Sequence, residues 1–166
     1  MRRRRRLKRG LNSDSRALEG LPLQLLIIMV VLAIGIPAVY TSVMYYDTQN
    51  MIQKVENQVE YIEEKAKMMR AYGPGNSDVI TVDLEPGMFR DVQYLELGNR
   101  TFTNLIQWKI EGGHTGLHTV GDISLISRSG EAMRLGSGSH QLRMESKSGD
   151  PLGEGEEMLY IEISLK

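Results

Sequence analysis

Histidines, one carboxylate and one asparagine are the residues whose types and spacing could do chemistry here. His114 and His118 stand four positions apart in "HTGLH", a spacing that would turn two imidazoles toward one metal ion on a helix. The surrounding glycines predict a loop instead, so we expect solvent-facing histidines and no metal. The chain has no cysteine, which excludes disulfides, thiolate zinc sites and thiol nucleophiles.

No motif for catalysis is found. The sequence contains no nucleophile elbow, Walker loop or dinucleotide fingerprint. The glycine-rich "GSGSH" at 136–140 precedes a predicted strand, so it lacks the helix N-terminus of a phosphate site. We therefore expect a protein that is not an enzyme and has no cofactor; a membrane-tethered enzyme, the alternative, would depend on His114 and His118 alone.

Asn99 begins an N-x-T triplet, "NRT", in a predicted turn between strands. Such a triplet is an acceptor for N-glycosylation when it lies on the outer side of a membrane. Asn99 is therefore a candidate modification site.

Glu19 stands at the edge of a long apolar run, residues 20–46, which holds 27 residues without a charge. As a helix this run would be about 40 Å long, more than the ~30 Å hydrocarbon core of a bilayer. It is also longer than the apolar core of a cleaved secretory signal. We predict a transmembrane helix at 20–46.

The charges around this run predict its orientation. Residues 1–20 contain eight Lys or Arg against two carboxylates, a net +6, so the other 146 residues carry −7. Seven of the basic residues lie in "MRRRRRLKRG", which by the positive-inside rule predicts a cytoplasmic leader at 1–19 and an extracellular C-terminal part. Tyr40, Tyr45 and Tyr46 fall where an outer aromatic belt would lie. A nucleic-acid-binding role for the Arg run is the disfavoured alternative.

Helical character continues through 47–72. Apolar residues recur at steps of three and four, at Ile52, Val55, Val59, Ile62, Ala66 and Met69. This stripe could form a coiled coil with a second copy or pack on the protein's own domain; three heptads are short for a coiled coil, which favours the domain. "GPG" then predicts a turn at 73–78.

From residue 79 the apolar period changes to two. Six segments, "VITVDL", "VQYLEL", "LIQWKI", "ISLIS", "QLRME" and "MLYIEISLK", predict short strands separated by glycine-containing turns. The expected fold class is α+β: a long N-terminal helix packed on a C-terminal antiparallel β-sheet or β-sandwich at 79–166.

The basic leader, Glu19, the half-apolar helix and the β-domain together resemble a type IV pilin-like protein of the archaeal branch, with a class III signal peptide-like N-terminus. With "SRALE" set against the start of a mature pilin, Ser15 takes position one and Glu19 position five, and Pro37 falls where many pilins carry a helix-kinking proline. Cleavage before Ser15 would follow Asp14, where the family commonly has glycine. Cleavage after Gly10 would instead leave Glu19 at position nine.

The resemblance implies a structural subunit of a surface filament, membrane-anchored before assembly, with roles such as adhesion. It implies partners of three kinds: membrane lipid, other pilin-like subunits, and a prepilin peptidase with its assembly platform. Glu19 would pair with the N-terminal amine of a neighbouring subunit, although a helix N-terminus alone also favours an anion there. The candidate residues for helix packing are Leu25, Leu26, Val30, Leu32, Ile52, Val55, Val59 and Ile62.

A second interpretation is a single-pass membrane protein that never polymerises and whose extracellular β-domain binds a ligand or partner. Every feature except Glu19 and Pro37 is compatible with it.

Overall fold

The computed structural model describes residues 15–166 apart from residue 154, with side chains described from residue 22 onward. One helix, α1 (Ser15–Tyr72), runs through both predicted helical parts and contains Pro22 and Pro37. The chain divides into two compact units, the first ending at Val43 and the second comprising Met44–Lys166. Residues 1–14 of the leader predicted at 1–19 lie outside the described residues.

Helix α1 ends where the sequence predicts. Gly73 adopts a φ of 84°, which glycine tolerates without steric cost, and its N–H donates to the carbonyl of Arg70 at 3.1 Å. The Asn76 amide nitrogen donates to the carbonyls of Tyr72 and Gly73, each at 3.0 Å, and so satisfies two groups at the helix end. The first strand begins at Ser77, slightly before the predicted boundary.

Eight strands follow in the described chain: β1 (Ser77–Leu84), β2 (Val92–Leu97), β3 (Leu105–Ile110), β4 (Thr115–Thr119), β5 (Ser124–Ser127), β6 (Met133–Leu135), β7 (Gly138–Gly149) and β8 (Met158–Leu165). They form two four-stranded sheets, in the orders β1-β7-β8-β5 and β4-β3-β2-β6. The structure therefore confirms the α+β fold class.

Two details differ from the expectation. The pair β5–β8 is parallel, with Leu125 opposite Ile161, whereas the other pairs are antiparallel. A parallel pair requires a long connection, which β6 and β7 provide between these two strands. In addition, "HTGLH" is not a loop: most of it forms β4, because its backbone pairs with β3 from Leu105 opposite Thr119 to Lys109 opposite Thr115.

The C-terminal half of α1 completes the hydrophobic core of the second unit. Its buried apolar side chains, each at most 4% exposed, are Met51, Val55, Val59, Ile62, Ala66 and Met69. Ile52 is half-buried and packs against the same core. The apolar stripe thus packs on the protein's own domain, the alternative that the sequence favoured over a coiled coil with a second copy.

Helix α1 runs along the edge strand β1. The Gln58 side-chain oxygen accepts the backbone N–H of Asp83 at 3.2 Å, which occupies a donor on that strand. Lys54 and Glu85 form an ion pair at 3.0 Å, and Lys65 and Asp78 form another at 3.6 Å.

The same helix also contacts β4, the edge strand of the other sheet. Glu63 of α1 pairs with His118 of β4. The helix therefore contacts one edge strand of each sheet, and on β1 it occupies the backbone N–H of Asp83, which is then closed to pairing with other chains.

Candidate functional site

The described part of the first unit exposes an almost unbroken apolar surface. The four predicted packing residues of this segment are each at least half exposed: Leu25, Leu26, Val30 and Leu32. They belong to eight consecutive apolar residues, 25–32, all at least 50% exposed. Because a helix has 3.6 residues per turn, eight consecutive residues cover its whole circumference. Contiguous apolar surface of this extent is typical of contact with lipid or with other apolar helices.

The hydroxyl groups of Thr41 and Ser42 are satisfied within the helix. Thr41 donates to the carbonyls of Pro37 and Ala38, each at 3.0 Å, and Ser42 donates to the carbonyl of Ala38 at 2.8 Å. In hydrocarbon an unsatisfied hydroxyl would cost free energy, and this local bonding removes that cost. Pro37 itself has no N–H to complete the helical ladder, which permits a bend at this point.

Among the described residues, one helix, Pro22–Tyr72, is long and apolar enough to cross a membrane, and none of its most apolar stretch is buried. This finding agrees with the transmembrane helix predicted at 20–46. The side chains of Ser15 and Glu19 lie outside the described residues, so their roles in processing and assembly stay predictions.

Of the packing residues predicted at 47–72, Val55, Val59 and Ile62 are buried in the core of the domain, unlike the exposed ones at 25–32. Val55 and Val59 are 1% exposed and Ile62 is 0% exposed, all within the core of the second unit. They therefore belong to the core of this chain's own fold, whereas the side chains at 25–32 are exposed.

Asp47 fixes the loop between β1 and β2. Its side chain is 8% exposed; one carboxylate oxygen accepts the N–H of Met88 and the other accepts the N–H of Phe89, both at 2.9 Å. A Cβ on Gly87 would lie 2.5 Å from the carbonyl oxygen of Arg90 and 3.0 Å from the Asp47 carboxylate. Only glycine fits this position without displacing the loop.

Large side chains are exposed next in sequence to Asp47 and in the loop that it holds. Tyr45 and Tyr46 are 68% and 67% exposed, and Met88 and Phe89 are 76% and 45% exposed. We call these four residues the Asp47 patch. The sequence indicated the tyrosines; it missed Met88 and Phe89, whose only signal is a pair of large apolar residues after the turn "EPG".

His118 takes part in an ion-pair network between α1 and β4. Its Nε2 lies 2.6 Å from one oxygen of Glu63, and Lys67 Nζ lies 2.6 Å from the other. The hydrogen bond from Lys67, followed by that from His118, lowers the pKa of Glu63 below its ordinary value. The network ties the helix to the sheet and brings no third metal-ligating side chain to the imidazole.

The other histidines lie apart from it. His140 Nε2 lies 2.9 Å from the carbonyl oxygen of Gly136, and His114 is exposed just before β4. Within the described residues, no group of three or more His, Cys, Asp or Glu side chains could hold a metal ion.

Asn99 is held by its neighbours. Its side-chain oxygen accepts the N–H of Thr101 at 2.9 Å, and its amide nitrogen donates to Glu96 at 3.3 Å. Glu96 in turn accepts from Arg134 at 2.8 Å. The nitrogen that would carry a glycan is half-buried here, so modification requires release of its bond to Glu96.

The fold and these surfaces define a chain with an apolar helix able to span a membrane, joined to a two-sheet α+β domain. No family model matches the chain, and neither a curated protein nor a solved structure is similar enough to it to indicate a family.

Proposed function

We propose that the protein is a pilin-like structural subunit of a type IV pilus-like surface filament, anchored in the membrane before assembly. The observation that carries the proposal is the apolar segment at 25–32, exposed around its whole circumference and continuous in sequence with the core helix of the β-domain. A filament built from bundled helices needs such a surface on every side of the helix, because each helix contacts several neighbours.

The orientation belongs to the same proposal. The net +6 leader favours a cytoplasmic N-terminus, which places the β-domain on the cell surface. A prepilin peptidase would then cut the leader at the cytoplasmic face, and an assembly platform would transfer the helix from lipid to filament. These partners come from the resemblance of "SRALE" and Pro37 to the pilin pattern.

Glu19 is the residue that would set the register between subunits in the filament. A carboxylate surrounded by apolar helices costs several kcal/mol unless it is paired. Pairing with the N-terminal amine of a neighbouring subunit would satisfy Glu19 at one stagger only, so the residue would set the register of the filament. This role requires a free amine close to Glu19 and therefore requires cleavage.

The test compares the N-terminal residue and the intact mass of native protein from membranes and from filaments sheared off the cell. We expect a start between Leu11 and Leu21 in the sheared fraction and the full leader only in membranes. Glu19→Gln should abolish the sheared form, whereas Glu64→Gln, an exposed carboxylate later in the same helix, should not. A leader retained in all protein, with none in the sheared fraction, would refute the proposal.

A second candidate function is that of a single-pass membrane protein that does not polymerise and whose extracellular β-domain binds a ligand or partner. It is favoured by a concave site of about 270 Å³ on the β-domain, lined by Glu96, Asn99, Phe102, Leu105, Gln107 and Leu117. Phe102 and Leu117 are 57% and 70% exposed, so apolar surface is available to a ligand there. Membrane-bound protein with an intact leader would favour this function.

A further inference from the structure

We propose that the β1–β2 loop inserts Met88 and Phe89 into the headgroup layer of the membrane, so that the Asp47 patch seats the β-domain on the lipid surface. The partner is the lipid bilayer itself. The inference rests on the membrane span in the proposed function and is independent of filament assembly.

The composition of the patch suits this partner. Met88 is 76% and Phe89 45% exposed. If the loop faced solvent, this apolar surface would be in contact with water, which costs free energy. Tyr45 and Tyr46, directly before Asp47 in the sequence, have an apolar ring and a polar hydroxyl, the combination that is enriched at membrane–water interfaces.

The position of the patch along the chain identifies lipid as the occupant. The uncharged run ends at Tyr46, directly before Asp47. A run of 27 residues is longer as a helix than the ~30 Å hydrocarbon core, so both of its ends reach the headgroup layers when the run is centred on the bilayer. Tyr45 and Tyr46 form its C-terminal end. The loop held by Asp47 is therefore brought to that layer together with the tyrosines.

Asp47 acts as the positioning residue. Its buried carboxylate accepts two successive backbone N–H groups, at Met88 and Phe89, which fixes the loop at its tip. The N–H of Gly87 donates to the carbonyl of Arg90 at 2.9 Å and closes the turn behind the tip. These backbone hydrogen bonds hold the loop in a conformation in which the Met88 side chain is exposed before the loop contacts lipid.

The absence of cysteine makes the test direct, since each variant then carries one thiol. Full-length Met88→Cys, Phe102→Cys and Val31→Cys are spin-labelled and reconstituted into phosphatidylcholine–phosphatidylglycerol vesicles at low protein-to-lipid ratio. Collision of each label with oxygen, which partitions into lipid, is compared with collision with a water-soluble nickel chelate. Phe102 is the matched control, an exposed apolar residue on another loop of the same domain.

We expect the Met88 label to meet the nickel chelate several-fold less often than the Phe102 label while remaining accessible to oxygen. A Met88 label as accessible to the chelate as the Phe102 label would overturn the inference. So would a Met88 label that is shielded from both reagents and becomes more shielded as protein concentration rises, because that result indicates a contact between subunits.

The Val31 label separates this inference from the proposed function. A deep Val31 label with a water-exposed Met88 label would refute the lipid contact alone, whereas a water-exposed Val31 label would refute the membrane anchor itself. Adding Asp47→Ala to Met88→Cys tests the positioning role. We expect the double variant to regain collision with the chelate while the domain keeps its cooperative unfolding transition, and an unchanged accessibility would refute that role.

Discussion

The indole ring of Trp108 occupies the space in which a side chain on Gly116 would lie, and the two residues face each other in the register of β3 and β4. Trp108 is 5% exposed and shares a surface cavity with Val59 of α1 and His118 of β4. A bare backbone at Gly116 therefore leaves room for the indole over the edge strand β4. The indole lies near Val59 of α1, so this packing helps to hold the helix against the sheet.

Substitution of Gly116 should accordingly destabilise the β-domain. Gly116→Val places a branched side chain in the volume of the indole, and we expect the free energy of unfolding to fall by about 1–3 kcal/mol. The measurement is urea unfolding of the full chain in detergent micelles, followed by Trp108 fluorescence. Gly136→Ala is the matched control, because nothing lies within 4 Å of a Cβ there, and it should change stability by less than about 0.5 kcal/mol. Equal effects of the two substitutions would contradict the packing described.

Truncation of two apolar residues on the same helix should affect domain stability in one case and leave it unchanged in the other. Ile62→Ala leaves a cavity in the core and should cost about 2–5 kcal/mol, since Ile62 is 0% exposed. Leu26→Ala, at a side chain 59% exposed, should leave the unfolding of the domain unchanged. Circular dichroism melts of both variants in the same detergent provide the comparison. A loss of domain stability in Leu26→Ala would contradict the division into two units.

The stability of the domain should depend on Glu63 in acid. Its pKa is lowered in the folded state, chiefly by the hydrogen bond from Lys67 and then by that from His118. A depressed carboxyl pKa contributes stability that is present above the unfolded pKa of about 4.3 and is lost as the pH falls through the folded pKa. Glu63→Gln should therefore lower stability at pH 7 and flatten the loss of stability below about pH 4.5.

The control for this prediction is Glu64→Gln, which removes the neighbouring, exposed carboxylate of the same helix. It should leave the acid limb of the stability profile close to that of the unmodified protein. The measurement is the free energy of unfolding in urea at several pH values from 3 to 7. An acid limb as steep in Glu63→Gln as in Glu64→Gln would show that the network does not carry this dependence.

Glycosylation at Asn99 would report the orientation of the chain. If the β-domain lies outside, protein from a host that modifies N-x-T sites should carry an added glycan mass that both Asn99→Gln and Thr101→Ala abolish. Glu96→Gln keeps the triplet but weakens the hydrogen bond that holds the Asn99 amide, so occupancy should rise. Intact-mass spectrometry measures all three variants. A glycan that persists in Asn99→Gln would place the modification elsewhere.

The sequence by itself determined the helix and six of the eight described strands. Within α1 the apolar pattern changes from a continuous run to residues spaced three and four apart, and this change separates the exposed part of the helix from the part that packs. "GPG" marks the end of the helix. Both signals are local in the sequence, so they could be recognised without the tertiary structure. The period-two segments likewise fell on β1, β2, β3, β5, β7 and β8. In "HTGLH", by contrast, local composition indicated a loop, and only pairing with β3 made it a strand.

Tertiary structure alone decided which distant residues meet. Asp47 reads as a helix residue next to a membrane span, yet its carboxylate holds Met88 and Phe89, 41 and 42 positions later. Glu63 and His118 lie 55 positions apart, and neither has a local pattern that indicates the other. Periodicity records which face of an element is apolar; it carries no information on which polar group will lie opposite, because that depends on how the helix is set against the two edge strands.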